Sequence, residues 1–305
     1  MARMEVNGVG LNVLRLTPKG GTDDARPPIV VCVHGVFIDS LASFYFTLGP
    51  TLAAGGCEAV MFDLRGHGRS ERPESGYRIE DFTSDLDALL DRLGIDRPVH
   101  LVGNSFGGTV ALDYAAHHPE RVASVLVIES GPATPDWAEA MRGALVQTTE
   151  NLPEDQALAW WVHMYGTYAS NRSGKEHEAH IARLGSSAAR LMRSTTIVAD
   201  VPASRLLTDE QMRTLAAPVL LVNGSDGLVK GKADWLMTVL PRVRVAEVPG
   251  QKHSVLVEAG DAVGKLVLEW VRENEPAERP AERDTPDAES AAVPPAGGGS
   301  GGPAP

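Results

Sequence analysis

Ser105 stands in Gly103-Asn104-Ser105-Phe106-Gly107, a run that fits G-x-S-x-G. In that pattern a strand ends in a sharp turn that lifts a serine hydroxyl onto the start of a helix, where it can attack a carbonyl carbon. Small residues must flank the serine, because the turn brings strand and helix into close approach. A hydroxyl is a poor nucleophile until a base takes its proton and an acid holds the base. Of nine histidines, His253 is the one expected in a loop after the last strand, in Pro249-Gly250-Gln251-Lys252-His253-Ser254. Two carboxylates compete to orient it. Asp226, which follows a strand in Asn223-Gly224-Ser225-Asp226-Gly227, is preferred, and Glu129, at the end of the strand after the nucleophile helix, is the alternative. A tetrahedral intermediate also needs N–H donors for its oxyanion. The Phe106 N–H, next after the serine, is one, and the Val36 N–H in His34-Gly35-Val36-Phe37 is the best candidate for the other.

These residues have to be delivered by strands and helices. Val99 to Val102 is a short apolar run leading into the serine turn, and Gly108 to His118 carries apolar residues at helical spacing up to Pro119. Ile29–Val33 and Ala59–Phe62 are continuous apolar runs, the mark of strands covered on both faces. Val122 to Ile128, Pro218 to Val222 and Val243 to Val248 read as further strands. Helices are expected over Phe44 to Ala54, Ile79 to Leu93 and Ala262 to Val271, and a hairpin of edge strands around Asn7-Gly8. Strand and helix alternate at βαβ spacing, which predicts an α/β fold with a mostly parallel sheet.

From Gly131 to Ala217 the alternation stops. Helical patterns run over Asp136 to Thr148, Asp155 to Tyr168 and Lys175 to Ala199, with no convincing strand between them. Placed after the nucleophile, such an insertion reads as a cap over the catalytic edge of the sheet. Its Trp160, Trp161, Met164, Tyr165 and Tyr168, with Phe37, Phe44 and Phe46 from the body, are the candidate pocket wall. None of these side chains is charged, which predicts a substrate with a largely apolar acyl part. Glu275 to Pro305 is rich in Pro, Ala, Gly and Glu and reads as a disordered tail.

The chain has 305 residues, 43% of them hydrophobic, and a net charge of −12. One large α/β domain is routine at this length. The acidic balance argues against nucleic acid as a partner. No apolar run is long enough to span a bilayer and the first residues show no signal-peptide pattern, so the expectation is a cytoplasmic protein with no membrane partner. Two cysteines, Cys32 and Cys57, make no disulfide framework and read as buried thiols. No metal or cofactor is expected: His177-Glu178-Ala179-His180 is not H-E-x-x-H, and no Walker loop or G-x-G-x-x-G occurs.

Taken together, the motifs resemble the α/β-hydrolase family. His34-Gly35 matches its oxyanion-loop motif, Asp63-Leu64-Arg65-Gly66-His67-Gly68-Arg69-Ser70 its D-x-R-G-x-G-x-S turn, Gly103 to Gly108 its nucleophile elbow and Gly250 to His253 its histidine loop. The resemblance runs from about Val6 to Val271. It implies an eight-stranded, mostly parallel sheet with helices on both faces, formed by residues 1–130 and 218–274, and a helical cap over 131–217. His34 and His67 are then structural turn residues rather than bases. The family commonly has G-x-x-D before its acid; Gly224-Ser225-Asp226 is one residue shorter, which keeps Glu129 in contention. A serine at position 105 separates the chain from haloalkane dehalogenases and epoxide hydrolases, which use aspartate there. The activity implied is cleavage of a small-molecule ester, thioester or lactone through an acyl-enzyme on Ser105. The same triad could serve an acyltransferase or cyclase, or a hydrolase of carbon–carbon bonds. A ligand receptor on this fold is the non-enzyme alternative.

Overall fold

Strands that are buried on both faces need cover on both sides, and the centre of the sheet is made of them. The computed structural model describes residues 1–18, 26–149, 170, 172, 174–229 and 231–276. In chain order the strands are β1 (Ala2–Val6), β2 (Val9–Leu16), β3 (Ile29–Val33), β4 (Glu58–Phe62), β5 (Val99–Asn104), β6 (Val122–Ile128), β7 (Val219–Gly224) and β8 (Val243–Val248). They form one sheet in the order β1-β2-β4-β3-β5-β6-β7-β8. β2 runs antiparallel to β1 and to β4, and every other pairing is parallel. Asn7 and Gly8, at φ 49° and 72°, turn the β1–β2 hairpin in the two residues the sequence suggested.

The period-two alternation of strand side chains sorts the core into two layers. Val31, Val33, Val60, Leu101, Val127 and Leu221 pack on one face with Phe82 and Leu86 of α3 (Ile79–Arg92). Val30, Cys32, Met61, Val102, Leu126 and Val222 pack on the other with Phe44, Leu48 and Trp270. Cys32 and Cys57 are free and buried, and burial pushes both thiols up, that of Cys57 to about 11 with help from the Glu275 carboxylate.

Two expected helices are divided in the structure. The segment 44–54 belongs to α1 (Leu41–Thr47) and α2 (Gly49–Ala54), because Pro50 lacks an N–H and its ring would clash with the carbonyl four residues back; it sits instead in the first turn of α2. The segment 175–199 divides into α6 (Lys175–Ser194) and α7 (Ile197–Asp200). The Thr195 hydroxyl bonds the Leu191 carbonyl and accepts from the Ile197 N–H, so its side chain replaces the helical backbone pattern. In the chain, α4 (Phe106–His117) and α5 (Pro135–Thr149) lie between these two segments. The remaining helices are α8 (Asp209–Arg213), α9 (Lys232–Val239), α10 (Val255–Glu258) and α11 (Gly260–Asn274).

Among the described residues, the stretch between β6 and β7 is helical and contains no strand. The helix expected over 155–168, with Trp160, Trp161, Met164, Tyr165 and Tyr168, lies outside the described residues, as does the tail beyond residue 276. Met1–Glu275 form one compact unit. No helix among the described residues is long and apolar enough to cross a membrane.

Candidate active site

The parallel strands all end at one edge of the sheet, and β3, β5, β6, β7 and β8 each contribute one part of the site there. Ser105 follows β5 at φ 52°, ψ −126°, a conformation that non-glycine residues rarely take. Close packing enforces it. A Cβ on Gly107 would overlap the Val33 carbonyl oxygen, and one on Gly103 would overlap the backbone of Gly107 and Gly108. The small residues around Ser105 are thus a steric requirement of the elbow. Four non-glycine residues take positive φ among the described residues, and three of them, Phe37 (71°), Ser105 (52°) and Glu129 (48°), are at this site. Backbone strain persists where surrounding structure holds it, and here it gathers around Ser105.

His253, in the loop after β8, places Nε2 3.0 Å from Ser105 Oγ. Its Nδ1 lies 3.2 Å from Glu129 Oε2. The carboxylate behind the histidine is therefore Glu129, and the preference for Asp226 is corrected. The cause is in the loop after β7. Asp226 is exposed, and its backbone N–H is tied to the Gln251 carbonyl at 2.9 Å. The loop offers backbone donors where an acid was expected: Gly224 N–H binds Glu129 Oε1 at 2.7 Å and Leu228 N–H binds Oε2 at 3.0 Å. A Cβ on Gly227 would overlap that same carboxylate. Three donors converge on a side chain 1% exposed, which meets the cost of burying it.

Val36 lies in the loop after β3 and lines the same cavity as Ser105. Phe106 opens α4, whose first N–H groups have no partner within the helix. Neither the Val36 nor the Phe106 N–H donates to a protein acceptor among the described residues. Both donors predicted for the oxyanion are available.

A cavity of about 1380 Å³ opens above Ser105. Its described wall includes Phe37, Trp137, Met141, Leu145, Ile181 and Trp235. Trp137 stacks on Phe106 with ring centroids 6.3 Å apart, which holds α5 over the elbow. Polar and charged groups also face the cavity, among them Asp39, Arg172 and Lys232.

A family model for the alpha/beta hydrolase fold matches residues 28–259, spanning every element of this site. The chain belongs to that family. This hydrolase is 30% identical over 225 residues to 2-(acetamidomethylene)succinate hydrolase of Mesorhizobium japonicum, covering 70% of this chain and 77% of that protein. It is 28% identical to a 2-hydroxy-6-oxononadienedioate/2-hydroxy-6-oxononatrienedioate hydrolase of Paraburkholderia phymatum, covering 61% of this chain and 65% of the relative. Among solved structures, a meta-cleavage product hydrolase from Pseudomonas fluorescens aligns with a TM-score of 0.72 at 19% identity, over 90% of this chain and 98% of the other. That last likeness is one of fold. Family and relatives together support a hydrolase.

The hydrolase brings together Ser105, His253, Glu129, Val36 and Phe106. It sorts the predicted pocket residues three ways. Phe37 lines the cavity, and Phe46 does so from its mouth at 80% exposure. Phe44 does not: it is fully buried in the core layer beneath α1, because its position on the helix faces the sheet. Trp160, Trp161, Met164 and Tyr165 lie outside the described residues. The α5 wall was missed, although Trp137, Met141 and Leu145 recur every four residues, the spacing of one helix face. Leu228 and Trp235 carried no signal, since only the packing of the β7 loop brings them to the cavity.

Proposed function

We propose that this chain is a serine hydrolase that cleaves a carboxylic ester, lactone or thioester through an acyl-enzyme on Ser105. The observation that carries the reading is the unbroken relay from Ser105 Oγ to His253 Nε2 at 3.0 Å and from His253 Nδ1 to Glu129 at 3.2 Å. Ser105 Oγ attacks the carbonyl carbon as His253 Nε2 takes its proton. Glu129 accepts the Nδ1–H, fixes the tautomer and balances the imidazolium that forms. The Val36 and Phe106 N–H groups receive the oxyanion. As the intermediate collapses, His253 gives its proton to the leaving oxygen or sulfur. Water, deprotonated by His253, then attacks the acyl carbonyl, and the acid departs with Ser105 restored.

The described helices between β6 and β7 act as a cap in this reading, since α5 and α6 wall the cavity. The predominance of apolar lining supports a substrate with a largely apolar acyl part. Two buried free thiols fit a reducing compartment and support a cytoplasmic location. A second reading, hydrolysis of a carbon–carbon bond by the same residues, is favoured by the likeness to a hydrolase whose named substrate is an oxo-substituted dienedioate.

A fluorophosphonate probe should label the wild-type protein and leave Ser105→Ala unlabelled. Turnover of p-nitrophenyl esters should be lost in the same variant. A wild-type protein that is labelled, inert toward esters and active on a vinylogous diketone would replace the first reading with the second. Labelling that survives in Ser105→Ala would end both.

A further inference from the structure

The D-x-R-G-x-G-x-S turn has no part in the proton relay, yet it reaches the oxyanion loop. His67 of that turn accepts the Phe37 N–H at its Nε2, at 2.9 Å, and donates from Nδ1 to the Arg65 carbonyl at 2.8 Å. His34 of the oxyanion loop returns the contact. Its Nε2 accepts the Leu64 N–H at 2.9 Å, and its Nδ1 donates to the Gly35 carbonyl at 2.6 Å. The two imidazoles meet edge to face, 5.4 Å apart. Each donates with one nitrogen and accepts with the other, so both are neutral. Burial, with His34 beside it, pushes His67 down to about 3, which keeps it so.

Asp39 holds the loop from the other side. Its Oδ2 accepts the Gly35 N–H at 2.8 Å and the Asn104 side-chain amide at 3.2 Å. Asn104 immediately precedes Ser105. One carboxylate oxygen therefore spans the oxyanion loop and the nucleophile strand. At the second of the two held groups the chain makes a γ-turn centred on Phe37, which stands at φ 71° with the Ile38 N–H bonding the Val36 carbonyl at 3.0 Å.

Of three consecutive N–H groups, the outer two are thus engaged and the middle one, on Val36, has no acceptor among the described residues. We propose that His67 and Asp39 are positioning residues of the oxyanion hole, clamping the N–H groups on either side of Val36 so that the Val36 N–H is left for the substrate oxygen. The proposal rests on the acyl-transfer reading of Ser105. Neither side chain touches the reacting atoms. Their effect is on where one donor sits, and a donor is worth most when it is already aimed at the developing charge.

The test compares an oxoester with its thionoester, whose sulfur is a poor hydrogen-bond acceptor. Losing one oxyanion donor outright costs about 10²–10³ in kcat, so a displaced donor should cost about 10- to 100-fold. In His67→Ala and Asp39→Ala, kcat on the oxoester should fall by that factor with KM little changed. The thionoester rate should fall far less, collapsing the oxo-to-thiono ratio. His67→Gln, whose amide oxygen can accept the Phe37 N–H, should restore most of that ratio. Equal loss on both esters, or no loss, overturns the clamp. If His67→Ala does not fold, the ratio in Asp39→Ala and His67→Gln decides. A wild-type protein that turns over neither ester and takes no fluorophosphonate fails the Ser105 reading itself, a separate outcome.

Discussion

Two Ser–His–carboxylate arrays lie at opposite edges of one sheet. At the carboxyl edge, Ser105, His253 and Glu129 are linked at 3.0 and 3.2 Å. At the amino edge, Ser124 of β6, His100 of β5 and Glu275 after α11 are linked at 2.7 and 2.7 Å. By distance alone the second array is the tighter. It lacks everything else. Ser124 is 0% exposed within a strand, whereas Ser105 sits on a strained elbow in a cavity wall beside two unengaged N–H groups. The ring is also reversed, with the serine on Nδ1 and the acid on Nε2. The contrast shows what makes a nucleophile: access, an aimed lone pair and donors for the oxyanion. At the amino edge the same three residue types satisfy the buried polar atoms of Ser124 and His100, and the exposed Glu275 pins the end of α11 to the sheet.

The largest effect should separate the two serines. Ser105→Ala is expected to lower kcat/KM on a cleavable ester by about 10³-fold or more. Ser124→Ala should keep turnover within about twofold of wild type, the size expected away from the chemistry. A collapse of activity in folded Ser124→Ala would erase the distinction. Next come the acids. Glu129→Gln removes the charge that balances the His253 imidazolium and turns an amide N–H group toward one of the donors on the carboxylate, which should cost about 10²–10⁴ in kcat, whereas Asp226→Asn should stay near wild type. The opposite result would return the role to the loop after β7.

Acid should weaken the carboxyl edge through His67. His67 is buried neutral there with its folded value near 3, against 6.5 when exposed. The unfolded chain binds the extra proton first as pH falls, so this contribution is whole above about pH 6.5 and is lost progressively down to about pH 3. The urea midpoint followed across that range should fall with pH, and less steeply in His67→Gln. A slope unchanged by the substitution would mean that other groups drive it. The smallest effect belongs to the amino-edge array. Glu275→Gln weakens a part-buried bond from a solvent-facing carboxylate to buried His100 and should cost about 0.5–1.5 kcal/mol in thermal or urea unfolding with kcat/KM unaltered. Altered kinetics in that variant would show that the two edges communicate.

Much of the fold was legible along the chain. Residues 29–33 and 122–128 read as strands because both of their faces are apolar, and α3 because Phe82, Leu86 and Leu89 repeat on one face. The places where expectation and structure part have local causes. Pro50 divides one helix and the Thr195 hydroxyl ends another. Phe44 and Phe46 show the limit of composition as a guide. Two residues apart on one short helix, one is core and the other stands at the cavity mouth, and the difference is the direction in which α1 meets the sheet.

The sequence by itself determined the class of fold, the serine elbow and the histidine of the last loop, because each is written in contiguous residues under local steric rules. Which carboxylate completes the relay was a tertiary decision. Asp226 and Glu129 both follow strands that end at the right edge, and their order in the chain does not choose between them. The choice falls to Glu129 because the short β7 loop turns its backbone N–H groups inward and leaves no room at Gly227 for a side chain. The amino-edge array makes the same point in reverse. Its three residues come from separate elements of the chain, and only packing brings them together, with Ser124 and His100 buried beneath Glu275.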